Sequence, residues 1–194
     1  MRFAFGGNKL RRLTLTGLVA LLGASALQAQ PAWNTITNER LHAPESGDWL
    51  SYRRTYDVQA YSPLTEINRR NVDDLRMVWA YSMRDNSRWV MTPIVANGLM
   101  YLAEGTGRVI ALDALTGELV WVHSRTFPDD ISASEAARRH RGVSIYRDTI
   151  YWGTADSFLV ALDAQTGQKR WEVQTADYRD GEGHAHPPLI ADGK

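Results

Sequence analysis

The chain has 194 residues, with 22 basic and 22 acidic side chains and a formal net charge of zero. So even a balance supplies no long-range field to gather nucleic acid or an anionic membrane, which excludes both as electrostatically recruited partners. There is no cysteine, which excludes disulfide frameworks, thiolate metal sites and a lipidated N-terminal cysteine, while seven Trp and eight Tyr suit a β-rich chain that packs rings between sheets.

Residues 1–29 read as a secretory signal peptide. Arg2, Lys9, Arg11 and Arg12 make a basic start. Leu13 to Leu22 is apolar but too short to span a bilayer stably, and small residues follow, with cleavage expected after Ala26 or Ala29. The expected location is therefore periplasmic, with no stable membrane span after cleavage. Residues 30–48 are polar and mixed, and read as a short surface segment. Asp48 to Tyr61 reads as extended, with a turn at Ser62-Pro63. Helical turns are expected at Thr65–Asn68 and Asn71–Asp74. Leu75 to Tyr81 alternates in the manner of a strand and carries Trp79.

Two similar units follow. Pro93 to Tyr101 contains Asn97-Gly98, a strong two-residue hairpin signal flanked by apolar residues. Val143 to Tyr151 holds the equivalent place in the second unit. Each is followed by a repeat in which seven of eleven residues agree: Ala111-Leu-Asp-Ala-Leu-Thr-Gly-Glu-Leu-Val-Trp121 and, 50 residues on, Ala161-Leu-Asp-Ala-Gln-Thr-Gly-Gln-Lys-Arg-Trp171. Asp113 and Asp163 open a turn, where a carboxylate accepts from backbone N–H groups. Gly117 and Gly167 end it with positive φ. The next strand carries Trp121 or Trp171. Between the units, Ser132-Ala-Ser-Glu135 has capping-box spacing and predicts a short helix to His140, leading to Arg141. Thr175 to His186 reads as a polar loop. Pro188 to Lys194 starts a third copy, with its turn at Asp192-Gly193.

Each unit thus reads as two hairpins, and a period of about 45–50 residues is that of one propeller blade. The fold class is all-β: a β-propeller of four-stranded antiparallel blades. The stretch 30–194 holds 194 − 29 = 165 residues, enough for about three of them. Closed propellers typically have about 4–8 blades, and the chain stops just past a hairpin turn, so it reads as the N-terminal part of a longer protein.

The Ala-x-Asp-x-x-Thr-Gly-x-x-x-Trp repeat resembles the tryptophan-docking motif of quinoprotein alcohol dehydrogenases, eight-bladed propellers that bind pyrroloquinoline quinone (PQQ). Asp48-Trp-Leu-Ser-Tyr52, Tyr61-Ser-Pro-Leu-Thr-Glu-Ile-Asn68, Asn71-Val-x-x-Leu75, Trp79 and Thr92-Pro93 are similar to the opening of that family, and the resemblance covers about residues 48–194. It gives Trp79, Trp121 and Trp171 a structural role, each packed against the Gly-containing turn of a neighbouring blade, as with Gly117 and Gly167. It implies that Arg141, followed by Gly142, binds the quinone's ionised groups, for which a guanidinium's paired donors are suited. It places His184 and His186 where a loop approaches the cofactor. With Asp180 and Glu182 nearby, they are candidates for cofactor or metal.

The resemblance further implies a small alcohol or sugar substrate, with hydride passing to PQQ and electrons to a cytochrome c or a quinone. A Ca²⁺ or lanthanide ion would polarise the quinone carbonyl, and an Asp base would take the substrate proton. Those ligands and that base are expected beyond Lys194, so this stretch alone is expected to be inactive. Two positions depart from the family pattern. Val90 stands where a quinone-contacting Glu is usual, and the adjacent-cysteine disulfide of the loop before the Arg is absent. They fit either a divergent subfamily or a propeller without cofactor, acting as a protein-interaction scaffold.

Overall fold

The computed structural model describes residues 32–84, 90–133 and 140–194. Its core is two four-stranded antiparallel meanders. The first comprises β1 (Ile94–Ala96), β2 (Leu99–Glu104), β3 (Arg108–Asp113) and β4 (Leu119–Ser124). The second comprises β5 (Ser144–Tyr146), β6 (Thr149–Gly153), β7 (Phe158–Asp163) and β8 (Lys169–Gln174). Every strand of the second begins 50 residues after its counterpart, so the sequence period is the sheet period. Even the irregularity repeats: the register shifts at Ala111/Leu112 and again at Ala161/Leu162. Such a bulge adds local twist.

Local chemistry accounts for the turns. Asn97 and Gly98 both have positive φ, 52° and 79°, as the tightest hairpin turn demands. Asp192 and Gly193 repeat this at 51° and 73°, and Ala191 and Lys194 exchange backbone hydrogen bonds across them at 2.9 Å. After β3, the Asp113 carboxylate accepts from the backbone N–H groups of Leu115 (2.9 Å) and Thr116 (2.8 Å). The bond from Thr116, the larger cause, holds that carboxyl below its ordinary range. Asp163 makes the same pair with Gln165 and Thr166 after β7.

One row of side chains is central to the contact between the two sheets. Tyr101, Ala111 and Trp121 are register partners across β2, β3 and β4. The small Ala111 leaves room for the aromatic rings on either side, whose centroids are 5.9 Å apart. Tyr101 Oη and Trp121 Nε1 both donate to the Ala164 carbonyl at 3.0 Å, so both of its lone pairs are used. Burial raises the Tyr101 phenol's pKa well above its ordinary value. The Trp121 ring lies flat against Gly167, where an added Cβ would be 2.5 Å from it. The Trp79 ring lies in the same way on Gly117, again at 2.5 Å. In the second sheet the row recurs as Tyr151, Ala161 and Trp171, but Trp171 is 44% exposed against 8% for Trp121.

Three expectations need correction. Residues 32–48 are not a surface segment. Ile36 and Leu41 are buried, the latter on a short helix, α1 (Asn38–His42). Two clips hold this stretch: Ile36 bridges Arg147, and Trp49 bridges Val95 on β1. Arg40 ties it further, bonding Asp48 at 2.6 Å and Glu45 at 2.9 Å. A local reading misses this because the burial is supplied by partners some 45–110 residues away. Leu75 to Tyr81 is extended but has no ladder partner among the described residues, and Met77 and Val78 are each 85% exposed. The helix expected from Ser132 is, up to Ala133, the end of a 3₁₀ turn (Asp129–Ala133), and its remainder lies outside the described residues. Among the described residues no helix is long and apolar enough to cross a membrane.

Gly167→Ala is expected to destabilise the fold by about 2–3 kcal/mol, since the methyl must displace the Trp121 ring and φ at this residue is +70°. Gly47→Ala, with nothing within 4 Å and no positive φ, is the control and should change little. Urea unfolding of both variants measures the difference.

Candidate functional site

β1 and β5 are the first strands of their sheets, and the residues just before them lie side by side. Thr92 N–H donates to the Arg141 carbonyl (3.4 Å), and Arg141 N–H donates to the Ala185 carbonyl (3.1 Å). Three successive copies therefore bring neighbouring backbone together at one rim. Gly142 is what permits this. Its φ is +120°, and a Cβ there would sit 2.9 Å from the Thr92 carbonyl oxygen.

A cavity of about 400 Å³ runs along β1 and β5 below this rim. Its walls are mostly apolar, with Leu41, Leu50, Ile94, Val143 and Pro188 among them. Arg141, His186 and Thr92 bring the polar atoms, and Tyr52 and Tyr56 close the side formed by the N-terminal segment. Ser144 Oγ donates to the Pro188 carbonyl, and Tyr56 Oη donates to that of Ile190, which holds the third copy against the second. Few polar groups converging in an apolar hollow of this volume is the usual form of a small-ligand site.

The sequence-derived candidates separate here. Arg141 and His186 both line the cavity, and Arg141 is exposed. Among the described residues its guanidinium makes no hydrogen bond or ion pair. His184 turns elsewhere. Its ring packs on Gly153, where an added Cβ would lie 2.6 Å from its own, and its Nε2 is 2.7 Å from Thr175 Oγ1. Alternation had placed the two imidazoles on one face; the chain instead bends at His186, while the His184 N–H donates to the Thr154 carbonyl (3.1 Å). Among the described residues no three His, Cys, Asp or Glu side chains are grouped to hold a metal ion, so the metal reading of His184, His186, Asp180 and Glu182 has no ligand set. Val90 is 47% exposed and offers no polar atom. Trp79, Trp121 and Trp171 lie outside the cavity lining.

One residue of the site escaped the sequence reading. His140 stood in a basic run, yet it is 6% exposed. Its Nδ1 is 3.2 Å from the Gly142 backbone N–H, and its Nε2 is 2.6 Å from the Gly153 carbonyl. Trp152 Nε1 also reaches Nε2, at 2.8 Å. A neutral ring protonated on Nε2 satisfies Gly142 and Gly153 together; protonation on Nδ1 satisfies Trp152 alone. Burial, with His184 and His186 nearby, lowers the pKa to about 4. The only signal in the sequence was its place next to Arg141-Gly142.

This fold is that of a known class. Residues 49–176 match the family described as PQQ: glucose/ethanol/alcohol dehydrogenase, beta-propeller domain, and the chain belongs to that family. It is 35% identical to the dehydrogenase subunit of the quinone alcohol dehydrogenase of Gluconobacter oxydans (strain 621H), across 96% of this chain and 26% of that protein. It is also 35% identical to the quinoprotein ethanol dehydrogenase of Pseudomonas aeruginosa, across 91% of this chain and 28% of the relative. Among solved structures, the quinohemoprotein alcohol dehydrogenase ADHIIG of Pseudomonas putida superposes with a TM-score of 0.77 at 34% identity, over 82% of this chain and 24% of the other. A europium-containing methanol dehydrogenase superposes at 0.74 with 28% identity, over 79% and 28%. The chain thus spans about a quarter of the length of the relatives it matches.

His140 makes stability pH-dependent. Its folded pKa of about 4 lies below the ordinary 6.5, so the unfolded chain takes up the proton first as pH falls. Its contribution is whole above about pH 6.5 and is lost progressively towards pH 4. Urea unfolding at several pH values should give a flatter stability curve across that window for His140→Gln than for the parent protein. Equal slopes would show that His140 does not titrate in this way.

Proposed function

We propose that this chain is part of a PQQ-dependent dehydrogenase that oxidises an alcohol or a sugar, with residues 1–29 as its export signal, residues 30–194 as part of its propeller, and the periplasm as its compartment. The observation that carries the reading is Arg141, fixed by its backbone between Thr92 and Ala185 and lining an apolar cavity on the family's own scaffold.

The residues present fit an anionic, planar cofactor. A guanidinium supplies paired donors for a carboxylate or a quinone oxygen, and His186 supplies a further polar atom in the same hollow. The apolar walls exclude water, which strengthens each charge-assisted bond. PQQ, when bound, supplies the hydride-accepting quinone. Arg141 and His186 would hold and orient it. A Ca²⁺ or lanthanide ion, its ligands and an Asp base belong, in this reading, to the three quarters of such a protein that this chain does not span, and so do the contacts with a cytochrome c or membrane quinone acceptor.

Val90 favours a second reading, a propeller without cofactor that acts as an interaction scaffold. A titration separates the two. The full-length protein, purified from periplasm with Ca²⁺ or a lanthanide present, should quench its fluorescence on addition of PQQ. Arg141→Ala should weaken that binding about tenfold to a hundredfold, as loss of a charge-assisted hydrogen bond does. A folded protein that binds no PQQ with either metal would leave the scaffold as the better account.

A further inference from the structure

We propose that His140 is a positioning residue for Arg141: its imidazole ties the Arg141-Gly142 backbone to the end of β6 and so sets where the guanidinium enters the cavity. The inference rests on the reading of Arg141 as a PQQ ligand and goes beyond it.

The geometry is specific. Arg141 is held at its own backbone on two sides, through its carbonyl by Thr92 and through its N–H by Ala185. The Arg141 carbonyl and the Gly142 N–H belong to one planar peptide, so the Thr92 bond, at 3.4 Å, holds only one side of it, and Gly142, at φ +120°, leaves the chain beyond free to turn. His140 supplies the missing restraint. One ring nitrogen accepts the Gly142 N–H at 3.2 Å, while the other meets the Gly153 carbonyl at 2.6 Å. The ring is packed edge-on to Trp152, with centroids 6.0 Å apart. It therefore links the Arg141-Gly142 peptide to a strand that is paired on both sides, β6 lying between β5 and β7. The linkage needs a neutral ring, because an imidazolium would present an N–H to the Gly142 N–H. Burial first, and then the nearby His184 and His186, disfavour that charge, while the Gly153 carbonyl favours it less strongly.

The test is a double-mutant cycle in the full-length protein, with PQQ affinity measured by equilibrium dialysis and thermal midpoints recorded alongside. His140→Ala should weaken PQQ binding about tenfold or more, as loss of a partner that orients a ligand-binding group does. His140→Gln, which keeps one amide acceptor and one donor, should recover most of the affinity. In an Arg141→Ala background, His140→Ala should cost less than about twofold more, because a residue acting through Arg141 has nothing left to position. Wild-type affinity in His140→Ala, or the same loss whether or not Arg141 is present, would overturn the inference. If His140→Ala does not fold, His140→Leu keeps the apolar volume without either hydrogen bond and replaces it in the cycle. Failure of both to fold would assign His140 to the core and also overturn the inference. If Arg141→Ala alone binds PQQ normally, the ligand assignment fails first and the role of His140 falls with it.

Discussion

An indole laid flat on a glycine joins these sheets, and the rest of the structure depends on that contact. A Trp side chain removes about 150–250 Å² from water, worth at most about 4–6 kcal/mol at about 25 cal/mol per Å². The energy is realised only if the partner surface is flat at the ring, which is why Gly117 and Gly167 have no side chain to lose. The polar edge of Trp121 is satisfied as well, by the Ala164 carbonyl that also serves Tyr101. Apolar contact therefore supplies affinity, and two hydrogen bonds to one oxygen supply the register.

That register reaches the functional rim. Because one sheet is the other shifted by 50 residues, Thr92 and Gly142 arrive at matching places, and the Thr92 N–H reaches the carbonyl of Arg141 just before Gly142. No loop has to find its position by itself. The approach is close enough to disfavour any side chain at 142, and a conformationally free Gly beside Arg141, the proposed cofactor ligand, creates a need for restraint. The buried imidazole of His140 lies where that need arises.

The parts of this fold that were legible in sequence are those governed by local rules. Asp113 and Asp163 capping their turns, Asn97-Gly98 and Asp192-Gly193 adopting positive φ, and the strand limits that follow from the repeat all depend on residues within a few positions of each other. What was missed depends on distant partners. Ile36 and Leu41 look like isolated apolar residues in a polar stretch until β5 and β1 cover them. His140 looks like one more base in Arg138 to Arg141 until Gly153 and Trp152 close over it. His184 and His186 share a face only if the segment is straight, and it bends at His186. Leu75 to Tyr81 has the alternation of a strand, but alternation reports which side chains seek burial, not whether a neighbouring strand is present.

Trp79 and Trp171 make the two faces of this pair of sheets unequal. The contact is head-to-tail, an indole on one side and a glycine turn on the other, and interfaces of that kind extend into rings or filaments rather than closing as symmetric dimers. Trp171 presents a bare indole. The corresponding glycine groove, at Gly117, is already filled by Trp79 from the same chain. Each unit thus carries the plug for the next and the socket for the one before, so the order of units along the chain dictates their order in space.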